Sequence, residues 1–158
     1  MELLDEQRRA KAEQIVDEGE QLLSIAAGLL LRKMGSGEHQ SISHSGDYAG
    51  VAIFSECVGL DIERIPEIIP EVPDYVFTED ELAWLREQPS PERFARLWTA
   101  LESALKADGC GFEGCEREYS VLERGRPWFI ETVLYKGYAI SCAAKRKFEL
   151  CIEELELL

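Results

Sequence analysis

The strongest constraint on the fold is an apolar stripe between Ser90 and Gly109. Large apolar side chains recur there at steps of three or four residues: Phe94, Leu97, Trp98, Leu101 and Leu105. This spacing places them on one face of a helix. Ser90 followed by Pro91 is a helix-start signal, and Gly109 is a favourable residue for a helix end. The sequence therefore predicts a long helix here that buries one face in a core.

Short runs rich in Val and Ile predict strands on both sides of this helix. Residues 50–54 and 57–62 are separated by only two residues, so they are predicted to pair as a hairpin. Three later runs predict an antiparallel meander: 118–123, 127–134 and 138–144. A helical stripe occupies residues 4–34, and a short helix is predicted after Thr78, where Glu81 completes a capping-box pattern. The tail, residues 148–158, fits either a strand or a helix.

The net charge restricts the partners of this chain. Its 158 residues carry 17 Lys and Arg against 31 Asp and Glu, a formal charge of −14. Nucleic-acid binding needs a positive surface, so no nucleic-acid partner is expected. The longest apolar run, residues 25–31, is far shorter than the ~20 residues of a membrane span, and no signal-peptide pattern is visible. We therefore expect one cytoplasmic domain with no membrane partner.

The five cysteines leave two interpretations open. Their number is odd and no CxxC pair occurs, which favours reduced, mostly buried thiols. A zinc site that includes Cys110 and Cys115 is the alternative, although structural zinc usually takes ligand pairs two to four residues apart.

The stretch GLDIE places two carboxylates at the end of a predicted strand. Residues two apart on a strand project to the same side, so Asp61 and Glu63 point together while Leu60 and Ile62 point the other way. Two convergent carboxylates suit a hard cation such as Mg²⁺, which takes oxygen ligands. Two solvated surface carboxylates are the alternative interpretation of this pair.

The long helix offers a third carboxylate beside its apolar stripe. Glu102 and Lys106 are four residues apart and lie next to each other on the helix surface. They form either an ordinary helix-stabilising pair or a pair in which Glu102 contacts a metal and Lys106 contacts a phosphate. Their spacing alone does not choose between these roles.

Three stretches occur in an order that resembles a known family. They are SISHSGDYAGVAIF, GLDIER and WTALESALKADGCGF, between Ser41 and Phe112, and GYAISCAAK follows near the end of the chain. The chain resembles the phosphopantetheinyl transferase superfamily, in its larger Sfp-like branch. Its motifs are SHS, then G-[IV]-D-[IV]-E, then W-x-x-K-E-[AS]-x-x-K-x-x-G.

The resemblance implies an α+β fold made of two related halves, each with a helix on a small antiparallel sheet. It divides the single domain, residues 1–158, into an abbreviated first half of about residues 1–65 and a second half of about residues 66–158. Because the family site lies between the two halves and the first is short here, we expect a second copy to cover an exposed edge, giving a homodimer.

The resemblance also assigns roles to site residues. Asp61, Glu63 and Glu102 correspond to the family ligands for Mg²⁺, with Mn²⁺ as a substitute. His44 corresponds to a histidine that contacts a phosphate of coenzyme A, and Ser43 and Ser45 shape its turn. Lys106 corresponds to a lysine that neutralises the attacked phosphate.

The implied reaction transfers the phosphopantetheine arm of coenzyme A to a serine of an acyl or peptidyl carrier protein. Coenzyme A is then the substrate, and adenosine bisphosphate is the second product. Glu102 or a metal-bound water is the candidate base, and the sequence does not distinguish them.

Two departures from the family pattern favour an alternative function. The lysine that precedes the family glutamate is Leu101 here, and the basic segment that precedes SHS in the family has no counterpart in GSGEHQSI. Arg93, Arg96, Arg124 and Arg126 could form a docking patch for an acidic carrier, but solvated positions are the simpler interpretation. The alternative is a non-catalytic relative that binds coenzyme A or a carrier protein, or acts in assembly.

Overall fold

A computed structural model describes residues 10, 13–35, 38–73, 75–109, 119–123, 125 and 127–155. The described elements are, in chain order, α1 (Glu18–Met34), β1 (His39–Ser45), β2 (Tyr48–Phe54), β3 (Val58–Arg64), α2 (Glu79–Glu87), α3 (Pro91–Asp108), β4 (Phe129–Tyr135) and β5 (Tyr138–Ala144). The predicted α+β class is confirmed. Helix α1 packs on the sheet of β1 and β2, and helix α3 packs on the sheet of β3, β5 and β4.

The strand pairing differs from the predicted hairpin of residues 50–54 and 57–62. Strand β2 pairs antiparallel with β1, and β3 pairs antiparallel with β5. That part of the prediction is wrong because β3 pairs with β5 at the edge of another sheet and is covered on both faces. Its first five residues are all buried, and it lies between α3 and the β1–β2 hairpin. A continuous apolar run is typical of a strand with both faces covered, which a two-stranded hairpin does not provide.

The predicted meander after α3 is confirmed only for its last two strands. Tyr135 pairs with Tyr138 across a tight turn at Lys136 and Gly137, which both have positive φ. The described residues 119–123 form a bend and turns instead of a strand. The third strand of this sheet is β3, which comes from before α3 in the chain.

Helix α3 has the boundaries and the buried face that its sequence predicts. Ser90 Oγ accepts a hydrogen bond from Arg93 N at 3.1 Å, and Gly109 ends the helix in the left-handed region at φ 80°. Leu97 and Leu101 are each only 1% exposed and belong to the main core. The capping box of Thr78 and Glu81 at the start of α2 is also present.

No helix in the described part of the chain is long and apolar enough to span a membrane. The division of the domain at about residue 65 stays a prediction.

Candidate functional site

A cavity of about 540 Å³ opens where β1, β3 and α3 meet. Six residues singled out in the sequence line it: Ser43, His44, Asp61, Glu63, Glu102 and Lys106. The seventh, Ser45, reaches this group by donating from Oγ to Glu63 Oε2 at 2.9 Å. The structure therefore brings residues from three distant sequence segments to one place.

Asp61 is the most buried carboxylate of the cavity, at 2% exposed. Its Oδ1 accepts hydrogen bonds from Lys106 Nζ at 2.6 Å and from Ser43 Oγ at 3.0 Å. Its other oxygen, Oδ2, is buried and has no hydrogen-bond partner within the described residues. Burial raises the pKa of Asp61, and the Lys106 ammonium only partly opposes that shift.

Glu63 and Glu102 share this environment. Burial raises the pKa of Glu63, and the hydrogen bond from Ser45 opposes the shift. Burial also raises the pKa of Glu102, with a further increase from the negative charge of Asp61. One ammonium, on Lys106, thus faces three mutually repelling carboxylates.

Lys106 and His44 line the cavity from different elements, α3 and β1. The Lys106 side chain is 33% exposed, and besides Asp61 it donates to Ser43 Oγ at 3.2 Å. His44 Nδ1 lies 3.1 Å from Glu20 Oε2 of α1, in an orientation that makes no hydrogen bond. The SHS residues lie at the end of strand β1 and not in the expected turn, which follows at residues 46–47. Glu20 did not emerge from the sequence, because its position on α1 shows no relation to SHS until the fold is known.

Other cavity residues also escaped sequence analysis. They are Ile15, just before α1, Ser24 of α1, and Gln40, Ser41 and Ile42 of β1. None belongs to the SHS or GLDIE motif or to the helix motif. An exposed face of an amphipathic helix or an alternating strand carries no signal for a cavity on its own.

The donor chemistry of the cavity fits a divalent cation, although its three carboxylates are not yet grouped as one ligand set. Across the described ranges, no group of three or more His, Cys, Asp and Glu side chains is arranged as a metal site. In this conformation Lys106 supplies the positive charge next to Asp61. Three carboxylates with raised pKa and an unpartnered Asp61 Oδ2 are nevertheless the oxygen donors that a hard cation takes.

Residues 57–143 match the model of the 4'-phosphopantetheinyl transferase superfamily. The chain belongs to that superfamily. The match contains Asp61, Glu63, Glu102 and Lys106, whereas the SHS residues precede it.

Curated members of the superfamily are similar over most of the chain. The 4'-phosphopantetheinyl transferase gsp of Aneurinibacillus migulanus is 41% identical over 121 residues, which are 67% of this chain and 51% of that protein. The 4'-phosphopantetheinyl transferase ffp of Bacillus subtilis is 32% identical over 127 residues, 70% of this chain and 57% of that protein. The chain thus spans about half the length of these relatives.

The described residues include some of the cysteines and arginines for which the sequence left alternatives open. Cys57, Cys142 and Cys151 are free thiols, but Cys142 alone of these is buried. Cys110, Cys115, Arg124 and Arg126 lie outside the described residues. Arg93 stacks on Trp84 and pairs with Glu87, and Arg96 donates to the Thr132 carbonyl, so both have partners within the chain.

Proposed function

We propose that this chain transfers the 4'-phosphopantetheine arm of coenzyme A to a serine hydroxyl of an acyl or peptidyl carrier protein, with Mg²⁺ or Mn²⁺. One observation carries the proposal: a single cavity gathers three carboxylates and one lysine from two separate family motifs. Superfamily membership and the similarity to 4'-phosphopantetheinyl transferases support the same reaction.

Asp61, Glu63 and Glu102 are the proposed cation ligands. A bound divalent cation would supply electrostatic stabilisation to the pyrophosphate of coenzyme A. The protein's part is to bring three carboxylates together in a half-buried cavity, where burial raises the pKa of each. Binding of a cation relieves their mutual repulsion, so metal and substrate are expected to bind together.

Lys106 and His44 are the proposed phosphate contacts. Lys106 reaches into the cavity from α3 and would exchange Asp61 for a phosphate oxygen, which develops negative charge during transfer. His44 faces the same cavity from β1. The two side chains therefore approach a bound pyrophosphate from different walls.

Proton transfer needs a base, and Glu102 is the proposed one. The carrier serine oxygen bonds to the phosphorus that bears the pantetheine arm, and the bond from that phosphorus to the bridging oxygen breaks. Adenosine bisphosphate leaves with that oxygen, and Glu102 takes the serine proton. Without a cation, burial and Asp61 raise the pKa of Glu102, and a carboxylate that binds a cation through one oxygen keeps a second oxygen that can accept a proton.

The carrier protein, coenzyme A and a second copy of the chain are the proposed partners, in the cytoplasm. Exposed apolar side chains around α1 support self-association: Val16 is 98% exposed and Leu22 is 66% exposed.

A carrier-modification assay tests the proposal. The chain is incubated with coenzyme A, Mg²⁺ and a panel of carrier proteins, and the mass of each carrier is measured by mass spectrometry. We expect a mass gain of one phosphopantetheine arm that requires the metal. Lys106→Ala should lower the rate by about 10- to 150-fold, which corresponds to a charge-assisted contact of ~1.5–3 kcal/mol.

The control for this assay is Lys33→Ala, which removes an exposed lysine near the end of α1, outside the cavity-lining residues. Its rate should stay close to that of wild type. Unchanged transfer in Lys106→Ala would contradict the role of that lysine. Binding of coenzyme A without modification of any carrier would contradict the catalytic function and support the non-catalytic alternative.

A further inference from the structure

Strand β1 contacts β3 through serine hydroxyls. Within the described ranges β1 pairs its backbone with β2 only, and β3 pairs its backbone with β5 only. Three serines at alternate positions of β1 accept hydrogen bonds from alternate amides of β3. The pairs are Leu60 N to Ser41 Oγ at 2.9 Å, Ile62 N to Ser43 Oγ at 3.1 Å and Arg64 N to Ser45 Oγ at 3.2 Å. The serine side chains thus accept from amides on the free edge of β3, which would otherwise need another strand as their partner.

Two of these hydroxyls also donate to the carboxylates of the cavity. Ser43 Oγ donates to Asp61 Oδ1 at 3.0 Å, and Ser45 Oγ donates to Glu63 Oε2 at 2.9 Å. Each serine therefore accepts from one β3 amide and donates to the carboxylate of the residue before it. A hydroxyl has one proton to donate, so each carboxylate has one oxygen held in place.

Ser41 makes only the first of these two contacts. The residue before Leu60 is Gly59, which has no side chain to accept the Ser41 proton. Within the described part of the chain, no carboxylate accepts from Ser41. The three serines therefore form a natural comparison in which the amide contact is common and the carboxylate contact is not.

The register of β1 against β3 is fixed at the hairpin turn. Asp47 N donates to Tyr138 Oη at 3.0 Å, and Arg64 Nε donates to the same oxygen at 3.1 Å. Tyr138 is 3% exposed and is the first residue of β5. A shift of β1 by one residue would break the Asp47 contact and turn the serines away from β3.

We propose that Ser43 and Ser45 are positioning residues for the divalent cation. By holding Asp61 Oδ1 and Glu63 Oε2, they orient both carboxylates before the cation arrives. The inference rests on the proposed function, because that function supplies the cation. It adds a role distinct from phosphate contact: the hydroxyls act through the carboxylates, as outer partners of metal ligands do.

Binding of Mn²⁺ alone tests the inference without substrate or turnover. Free Mn²⁺ is measured by electron paramagnetic resonance in titrations of wild type, Ser41→Ala, Ser43→Ala and Ser45→Ala. Loss of an outer hydrogen bond to a metal ligand typically weakens affinity by about 10- to 100-fold. We expect this loss in Ser43→Ala and Ser45→Ala, and an affinity close to that of wild type in Ser41→Ala. Ser45→Thr, which keeps the hydroxyl, should recover most of the affinity.

Amide hydrogen exchange on the same variants checks that each of the three alanine changes affects the structure of β3 in the same way. Each alanine variant should speed exchange of the one amide that loses its acceptor: Leu60, Ile62 or Arg64. A purely structural role predicts equal losses of Mn²⁺ affinity in all three alanine variants, and that result would overturn the inference.

Two other results would distinguish a failure of the inference from a failure of the proposed function. Wild-type Mn²⁺ affinity in Ser43→Ala and Ser45→Ala would overturn the inference and leave the proposed function standing. Absence of Mn²⁺ binding by the wild type, even with coenzyme A added, would overturn the metal dependence of the proposed function and the inference with it.

Discussion

Asp61 shows at the residue scale how this cavity holds its charge. A carboxylate that is 2% exposed loses most of its hydration, and hydrogen bonds to Oδ1 from Lys106 and Ser43 compensate only part of that loss. Glu63 and Glu102 add negative charge nearby. Without a cation, the folded protein therefore disfavours full ionisation of the three carboxylates.

This charge predicts a pH dependence of stability. The pKa values of Asp61, Glu63 and Glu102 are raised in the folded protein above their ordinary values of 3.8, 4.5 and 4.5. The folded state then binds more protons than the unfolded state between the ordinary and the raised values. The contribution of these groups to stability is fully present below the ordinary values and is lost as pH rises through the raised ones.

Glu102→Gln isolates this effect because it removes one of the three charges. Thermal unfolding measured upward from pH 4.5, the ordinary pKa of Glu102, should show that Tm falls less steeply in Glu102→Gln than in wild type, and that Mg²⁺ raises the wild-type Tm more at the upper pH. Glu92→Gln, an exposed change on the same helix, is the control. Parallel Tm curves for wild type and Glu102→Gln would contradict this account of the cavity.

At the scale of elements, the close approach of β3 to α3 places Asp61 beside Lys106. Gly59 permits that approach. A Cβ atom at Gly59 would lie 1.8 Å from the Ser103 carbonyl oxygen and 2.5 Å from Ala107 N, both on the backbone of α3. Backbone atoms inside a helix cannot move aside as a side chain can, so strand and helix would have to separate.

We therefore expect Gly59→Ala to destabilise the fold by about 3 kcal/mol or more, the upper range for overpacking. Gly50→Ala is the matched control, because its Cβ would meet the flexible end of Ile62, at 2.5 Å from Cδ1. That change should cost less than about 1.5 kcal/mol. Urea unfolding gives both values, and equal losses would show that the β3–α3 contact adjusts more easily than its geometry indicates.

The elements also show which information the sequence carries. The stripe and caps of α3 are local, so its boundaries and the burial of Leu101 could be predicted. The partner of β3 could not, because β5 is distant in the chain and neighbouring runs look equally suitable. The motifs pointed to the cavity residues, but the hydroxyl contacts of Ser45 depend on the packing of β1 against β3, which no local pattern encodes.

At the scale of the whole molecule, charge and exposed apolar surface act against each other. A formal charge of −14 makes two copies repel at low salt, while Val16 and Leu22 present apolar side chains to water. At about 0.15 M salt the screening length is about 8 Å, so short-range apolar contact can prevail over long-range repulsion. Self-association should therefore strengthen as salt is added.

We expect the chain to form a homodimer through the surface that exposes Val16 and Leu22, at and just before α1. Sedimentation at micromolar concentration and about 0.15 M salt should give a species of about twice the chain mass of 17.9 kDa. Leu22→Glu places a charge on this face and should shift the species to the monomer mass. Ile68→Glu, at a position 78% exposed in another part of the chain, should leave the dimer intact. A wild type that sediments only as a monomer would contradict self-association, whereas a dimer that tolerates Leu22→Glu would place the contact on another surface.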